Sequence, residues 1–205
     1  MNMNLAQSIR DRRRERILQA AREVFFEEGY GAATMSTIAA RLGGSKGTLY
    51  AYFKNKEDLF AEIISDQCSV IQSALGLAGQ GADVRTTLMA FGLELVTAMA
   101  SDQAVRTLQL IIEEATRNPD LARRFDQAGP QQGIAAIAAY LAQAHARGEI
   151  CAPDPIEAAT VLGSLLKGDM HFRRMVGLEP EPSPEAVARQ VETGVNIFLR
   201  AYAPK

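Results

Sequence analysis

The stretch TMSTIAARLGGSKGTLYAYFKNKED, Thr34 to Asp58, decides the reading of this chain. It divides into two short helices joined by a glycine turn, followed by a capped third helix. Ala39 is small where two helices cross closely, and Gly43 supplies the turn. Ile38, Leu42, Leu49 and Phe53 fall on the inward faces and lock the pair together. Ser45 is placed to cap the second short helix, whose N-terminal amides and positive dipole end suit a phosphate. Gly47 lets the backbone approach a duplex. Lys46, Thr48, Tyr50 and Tyr52 remain outward, where they can reach base edges or phosphate oxygens. Lys56 adds a charge at the start of the next helix. These features make the stretch a helix-turn-helix and point to DNA reading.

The remainder of the chain is also helical in pattern. No strand-like alternation persists, and apolar residues recur at helical spacing. Ile17, Ala21, Val24 and Phe25 form the stripe of a first helix that Gly29 closes. Asn55 and Asp58 open a helix through Leu59, Phe60, Ile63 and Ile64 toward Leu75, and the Gly76 to Asp83 stretch breaks it. Asp83, Ser101 or Asp102, Asn118, Asp154 and Ser183 are helix starts; Gly148 and Gly177 are stops. Gly129-Pro130 reads as a break, with a helix from about Gly133 to Arg147. The expected fold is all-α, with about nine helices. A helix-turn-helix head over residues 1–55 precedes a larger effector-binding and dimerisation domain over 56–205.

Composition fits this reading. The 205 residues are 47% hydrophobic and 22% charged, without tryptophan. Residues 1–60 carry 10 Lys+Arg against 7 Asp+Glu, and the rest carries 12 against 17. A basic front on an acidic body suits a nucleic-acid head. Cys68 and Cys151 stand far apart with no CxxC, so neither a disulfide framework nor a metal cluster is expected. No apolar leader is read after the charged N-terminus and no run reaches membrane length, so a cytoplasmic protein without a membrane partner is expected. HExxH, GxSxG and Walker loops are absent, which disfavours a helical enzyme, and no cofactor is expected.

At this point the sequence resembles the TetR/AcrR family of bacterial transcriptional regulators. The resemblance rests on Thr34, Ile38-Ala39, Gly43, Ser45 to Tyr50, Tyr52-Phe53, Lys56, Glu57 and Leu59, and on FFEEGYGAAT (Phe25 to Thr34) before them. It covers roughly residues 10–60. The stretch from Arg106 to Gly148 is similar to the AefR-like subgroup of regulatory domains. The resemblance implies a recognition helix from about Lys46 to Tyr52, with Lys46, Thr48, Tyr50, Tyr52 and Lys56 as contacts; Ser45 and Gly47, from the helix start read above, complete the expected DNA-binding set. Two positions depart from the family pattern: Gly44 replaces the usual valine, and Ser36 replaces a larger polar or basic residue found in many members.

One reading helix grips too few base pairs, so a homodimer on a palindromic double-stranded operator is expected. Leu162, Leu165, Leu166 and Met170 form one stripe near the C-terminus; Val191, Val195, Phe198 and Leu199 form another. These stripes are the expected dimer interface. Phe91, Leu95, Met99, Leu108, Ile112, Phe125, Tyr140, Met170 and Phe172 are the expected walls of a pocket for a small, mainly apolar effector, with His145 and His171 as possible polar anchors. The function expected is ligand-released repression. A thiol-based redox sensor using Cys68 or Cys151 is the alternative on the same scaffold.

Overall fold

The computed structural model describes residues 2–66 and 83–204, with side chains from residue 8 onward. All regular structure among them is helical. The helices are α1 (Asn2–Glu28), α2 (Met35–Leu42), α3 (Lys46–Tyr50), a helical stretch α4 over 56–66, α5 (Val84–Ala100), α6 (Asp102–Ala115), α7 (Pro119–Ala128), α8 (Pro130–Ala146), α9 (Pro155–Met175) and α10 (Pro184–Ala201). The expected run of the fourth helix to Leu75, the break over 76–82 and Cys68 lie outside the described residues. No helix among the described residues is long and apolar enough to cross a membrane.

Local chemistry explains the helix starts. Asp83 Oδ1 accepts from the Thr86 amide at 2.8 Å, and these bonds hold the Asp83 carboxyl below its ordinary range. Asn55 accepts from Asp58 at 2.7 Å, and Asn118 from Leu121 at 3.3 Å. Asp154 accepts from Ile156 and Glu157, both at 3.0 Å, and Ser183 from Ala186 at 3.3 Å. Each cap satisfies an amide that the first helical turn leaves without a partner. The chain does break at Gly129, between α7 and α8, but α8 starts at Pro130 rather than near Gly133, because proline at the first helical position has no N–H to lose and its fixed φ is already helical.

The chain forms two compact units. One comprises Met1–Asp66 and Leu110–Ala128, the other Gln67–Gln109 and Gly129–Lys205. The first unit is cored by Ile17, Leu18, Val24, Phe25, Ile38, Leu49, Leu59, Phe60, Ile63 and Ile64, all buried. Phe25, Tyr30 and Phe60 pack as an aromatic trio with centroids 5.2–5.8 Å apart. Arg22, itself buried, ties Glu15 on α1 to Asp66 on α4. The end of α6 belongs here too: a Cβ on Gly31 would lie 3.1 Å from the Glu114 carboxylate.

The second unit packs α5, α8, α9 and α10 around Leu88, Phe91, Leu141, Leu162, Leu166, Val191, Val195 and Phe198. Cys151 lies half-buried with a free thiol, and its amide donates to the Tyr202 carbonyl at 2.8 Å. Two glycines shape this core. Gly194 on α10 sits so close to α9 that an added Cβ would lie 2.9 Å from the Leu165 carbonyl oxygen. Gly168 adopts φ 51° and ψ −158° inside α9, a conformation that only glycine takes without strain. It breaks α9 where the sequence pattern runs on. The Gln190 side-chain amide donates to Leu165 O at 2.9 Å beside the break.

Candidate nucleic-acid interface

The interface is built on α2, the turn and α3. Thr34 and Thr37 close a reciprocal capping box at the start of α2. At its end Gly43 turns left-handed at φ 67°, with its amide on Ala40 O and the Gly44 amide on Ala39 O. This pair of bonds is a Schellman cap, which requires a residue free to adopt positive φ. Gly44 has ordinary backbone, and a Cβ there would touch Leu42 at 3.7 Å. Ser45 Oγ then accepts from the Thr48 amide at 3.3 Å and starts α3.

The inward residues sit as expected. Ile38 and Leu49 have no exposed surface, Ala39 and Phe53 are buried, and Leu42 is half-buried. Their burial clamps α3 against α2. The outward face is then fixed. Ser45, Lys46 and Gly47 are exposed, and Tyr50 is 52% exposed. Lys46 has no ion-pair partner among the described residues. The Thr48 hydroxyl lies 3.1 Å from Ser45 Oγ and is half-buried. Ser36 is exposed on α2. No Asp or Glu occurs in the chain between Glu28 and Glu57, although Arg41 on α2 is paired with Glu23 and Glu27 on α1.

Tyr52 is half-buried, with the Arg10 guanidinium 6.0 Å from its ring centroid. Together with Arg14, Phe53 and exposed Lys54 they line an open cleft of about 420 Å³ beside α3. Asp11, Asp58 and Glu62 line it as well, and Arg14 bonds Glu62. Arg10 and Lys54 are therefore neighbours of the reading face that the motif alone does not single out. Lys54 follows Phe53 directly, and that adjacency is the signal for it in the sequence.

Lys56 has a different role from the one expected. Its Nζ donates to the carbonyls of Tyr30, Gly31 and Ala33 at 2.7, 3.3 and 3.2 Å, and lies 4.5 Å from the Tyr30 ring centroid. An ammonium that has filled its three donor positions inside the protein has none left for phosphate. Lys56 ties α4 to the α1–α2 turn. Tyr30 in turn donates to Glu57 at 3.2 Å, and burial and the Glu57 charge push its phenol up. Lys56→Met is expected to destabilise the head by about 1–3 kcal/mol, since three carbonyls lose a charged donor. Its salt dependence of DNA binding should be unchanged. Thermal melts and a salt titration check both; a slope reduced by about one would return Lys56 to the phosphate contacts.

The other expected sets are only partly brought together. Leu162, Leu166, Val191, Val195 and Phe198 have no exposed surface because α9 and α10 bury them against each other within the chain. They cannot meet a second chain in this form. Leu165, Met170 and Leu199 are only half-buried. Of the expected pocket walls, Met99 and Met170 share a small cavity in the second unit. Phe91 and Tyr140 are core, Leu95 packs on its edge and Leu108 is half-buried. Phe172 is 62% exposed. Ile112 and Phe125 fall in the first unit, where Ile112 is 56% exposed. His145 is satisfied internally, with Nδ1 3.2 Å from the Ile150 carbonyl.

Comparison with known proteins now bears on this geometry. Residues 17–63 match the model of the bacterial regulatory proteins of the tetR family. Residues 86–204, more than half of the chain, match the C-terminal domain of the AefR-like transcriptional repressors. The chain belongs to the TetR family. A TetR-family regulator from Mesorhizobium loti MAFF303099 superposes with TM-score 0.79 at 28% identity, over 94% of this chain and 97% of that one. The flavonoid-responsive regulator FrrA superposes with TM-score 0.75 at 33% identity, over 93% and 97%. The uncharacterised regulator YhgD from Bacillus subtilis is 47% identical over 53 residues, 26% of this chain and 28% of that protein. The chain thus aligns with little more than a quarter of that relative's length. TetR-family regulators bind operator DNA as homodimers and respond to small molecules. The all-α architecture with an N-terminal helix-turn-helix is the TetR-family arrangement, and the chain is a transcriptional regulator.

Proposed function

We propose that this regulator represses transcription in the cytoplasm by binding a palindromic double-stranded operator as a homodimer, and that a small, mainly apolar effector releases it. The observation that carries this reading is the outward face of α3. Lys46, Gly47 and Tyr50 are exposed on a helix clamped by a buried apolar face, in a stretch of sequence without carboxylates. Repression is supported by the AefR-like repressor match of the larger domain. An apolar effector is supported by the likeness to a flavonoid-responsive regulator.

The residues for the dimer face are those that the chain itself leaves uncovered. Along the outside of α9, Ile156, Thr160, Ser164, Gly168 and Phe172 are exposed at intervals of four, and Val176 follows just past its end. None carries a charge. On α10, Thr193 and Ile197 are exposed, Ile197 at 47%. These would place two helices from each copy side by side, an arrangement in which the same patch meets itself. The division of labour is then a reading head up to about residue 55, with the rest devoted to effector and partner.

Lys46→Ala tests the DNA-reading assignment. It should weaken binding to specific and random DNA alike and lower the salt slope by about one. Thr48→Ala should instead cost about 1–3 kcal/mol at particular base positions. Fluorescence anisotropy over a range of salt concentrations separates the two outcomes. An unchanged affinity and slope for Lys46→Ala would remove that residue from the interface.

A further inference from the structure

In the second unit, the end of α5 packs against the broken part of α9. Between them is a small, partly open cavity of about 10 Å³, room for a single water, lined by Val96, Met99, Ala100, Lys167, Met170 and His171. Four of these walls are apolar and two are polar. His171 Nδ1 is buried with no hydrogen-bond partner. Lys167 has no ion-pair partner among the described residues. Burial and the nearby Lys167 charge both lower the His171 pKa, so the two groups compete rather than satisfy each other. The carboxylates nearby in sequence and contact are engaged elsewhere: Asp169 and Glu179 with Arg173, and Asp102 with Arg174. The cavity is therefore lined by a lysine and by a ring nitrogen without a partner among the described residues, and by no acidic residue. A buried polar atom without a partner is destabilising, so its retention calls for an explanation.

The backbone beside the cavity is not continuous helix. Gly168 interrupts α9 directly after Lys167. The two halves of the helix are fastened separately. The first is held in the core by Ala158, Ala159, Leu162 and Leu166. The second packs Met170 on the edge of that core and is held by polar bonds: Arg174 to the Ala100 carbonyl at 3.2 Å and to Asp102, and the Gln109 amide to the Met175 carbonyl at 2.7 Å. A change of backbone angle at Gly168 would shift Met170 and His171 against Val96 and Met99 and so alter the size of the cavity. Methionine walls suit such a change, because their flexible thioethers repack around a guest.

We infer that this cavity is the closed form of the effector site, and that it takes an apolar molecule bearing one carboxylate. The carboxylate is received by Lys167 Nζ and by His171 in its Nδ1–H tautomer. The apolar body lies between Met99, Met170 and Val96. The inference rests on the ligand-responsive reading above and narrows its effector to an anionic class.

The test compares 2-naphthoate with its neutral counterpart 2-naphthamide, by calorimetric titration of the full-length protein. The wild type should bind the carboxylate about tenfold or more tightly, the scale of one charge-assisted contact. Lys167→Met keeps the aliphatic stem and should reduce that preference to less than about twofold while leaving naphthamide binding intact. His171→Phe fills the cavity and should weaken both ligands. Matching thermal melts confirm that the variants fold. Equal binding of the two ligands, no saturable binding of naphthoate, or a preference that survives Lys167→Met would overturn the inference. Release of DNA selected from a random library is measured in parallel. Neutral arenes that release it without any carboxylate preference would leave the repressor reading standing and remove this site. Carboxylate-selective binding that leaves the DNA complex intact would keep the site and remove ligand release.

Discussion

Gly194→Val is expected to destabilise the larger domain by about 3 kcal/mol, near the top of the range for overpacking a core. The reason is geometric. At Gly194 the backbone of α10 approaches the backbone of α9, and even a Cβ would stand 2.9 Å from Leu165 O and 3.0 Å from its carbon. A side chain in the way could rotate aside, but a helix backbone cannot. The two helices must separate, and the packing of Leu162, Leu166, Val191, Val195 and Phe198 loosens along their length. Gln190 would also be drawn off the Leu165 carbonyl that it bonds beside the α9 break. The melting temperature should fall by roughly 6–12 °C, taking about 2–4 °C per kcal/mol for a chain of this size. Differential scanning calorimetry is the measurement. A melting temperature within about 2 °C of wild type would show that the α9–α10 approach is not as tight as described.

Ile197→Glu is expected to leave the fold intact and to break the dimer. Ile197 is 47% exposed on α10, so a glutamate there costs the monomer little. In a face that meets its own copy, the two new charges would be buried together without partners, a cost of several kcal/mol. Light scattering should report a monomer at micromolar concentration. Operator affinity should fall by about 100-fold or more, because each head would dock alone rather than be held beside its half-site by the other. Affinity for random DNA should change much less. A variant that remains dimeric and binds its operator normally would move the interface away from this stripe.

Much of this molecule is legible in its sequence, for a physical reason: the informative signals are local. The caps at Asp83, Asn118, Asp154 and Ser183 act on amides two or three residues away, so they can be read without knowing the fold. The same holds for the Gly43 turn and the Ser45 cap, and hence for the outward face of α3.

What escapes the sequence depends on partners distant in the chain. Leu162 and Val191 form stripes of the right period, but period alone does not say whether a stripe faces its own chain or another copy. Lys56 beside a helix start looks like a phosphate contact; its carbonyl partners lie 23 to 26 residues earlier. Gly168 looks like one tolerated glycine in a long helix, and the residue packed beside the break is Gln190, from the next helix. The placement of Leu110–Ala128 with the first unit is likewise tertiary and carries no local mark.

The central claim is that α3, carried by a dimer, reads a specific DNA sequence. Selection of the full-length protein against random-sequence duplexes tests it most directly. The expected result is enrichment of a near-palindrome whose half-sites lie about one helical turn or a multiple apart, bound about 10³-fold or more tightly than unselected DNA. Enrichment of no common sequence, with selected and random duplexes bound equally, would contradict it.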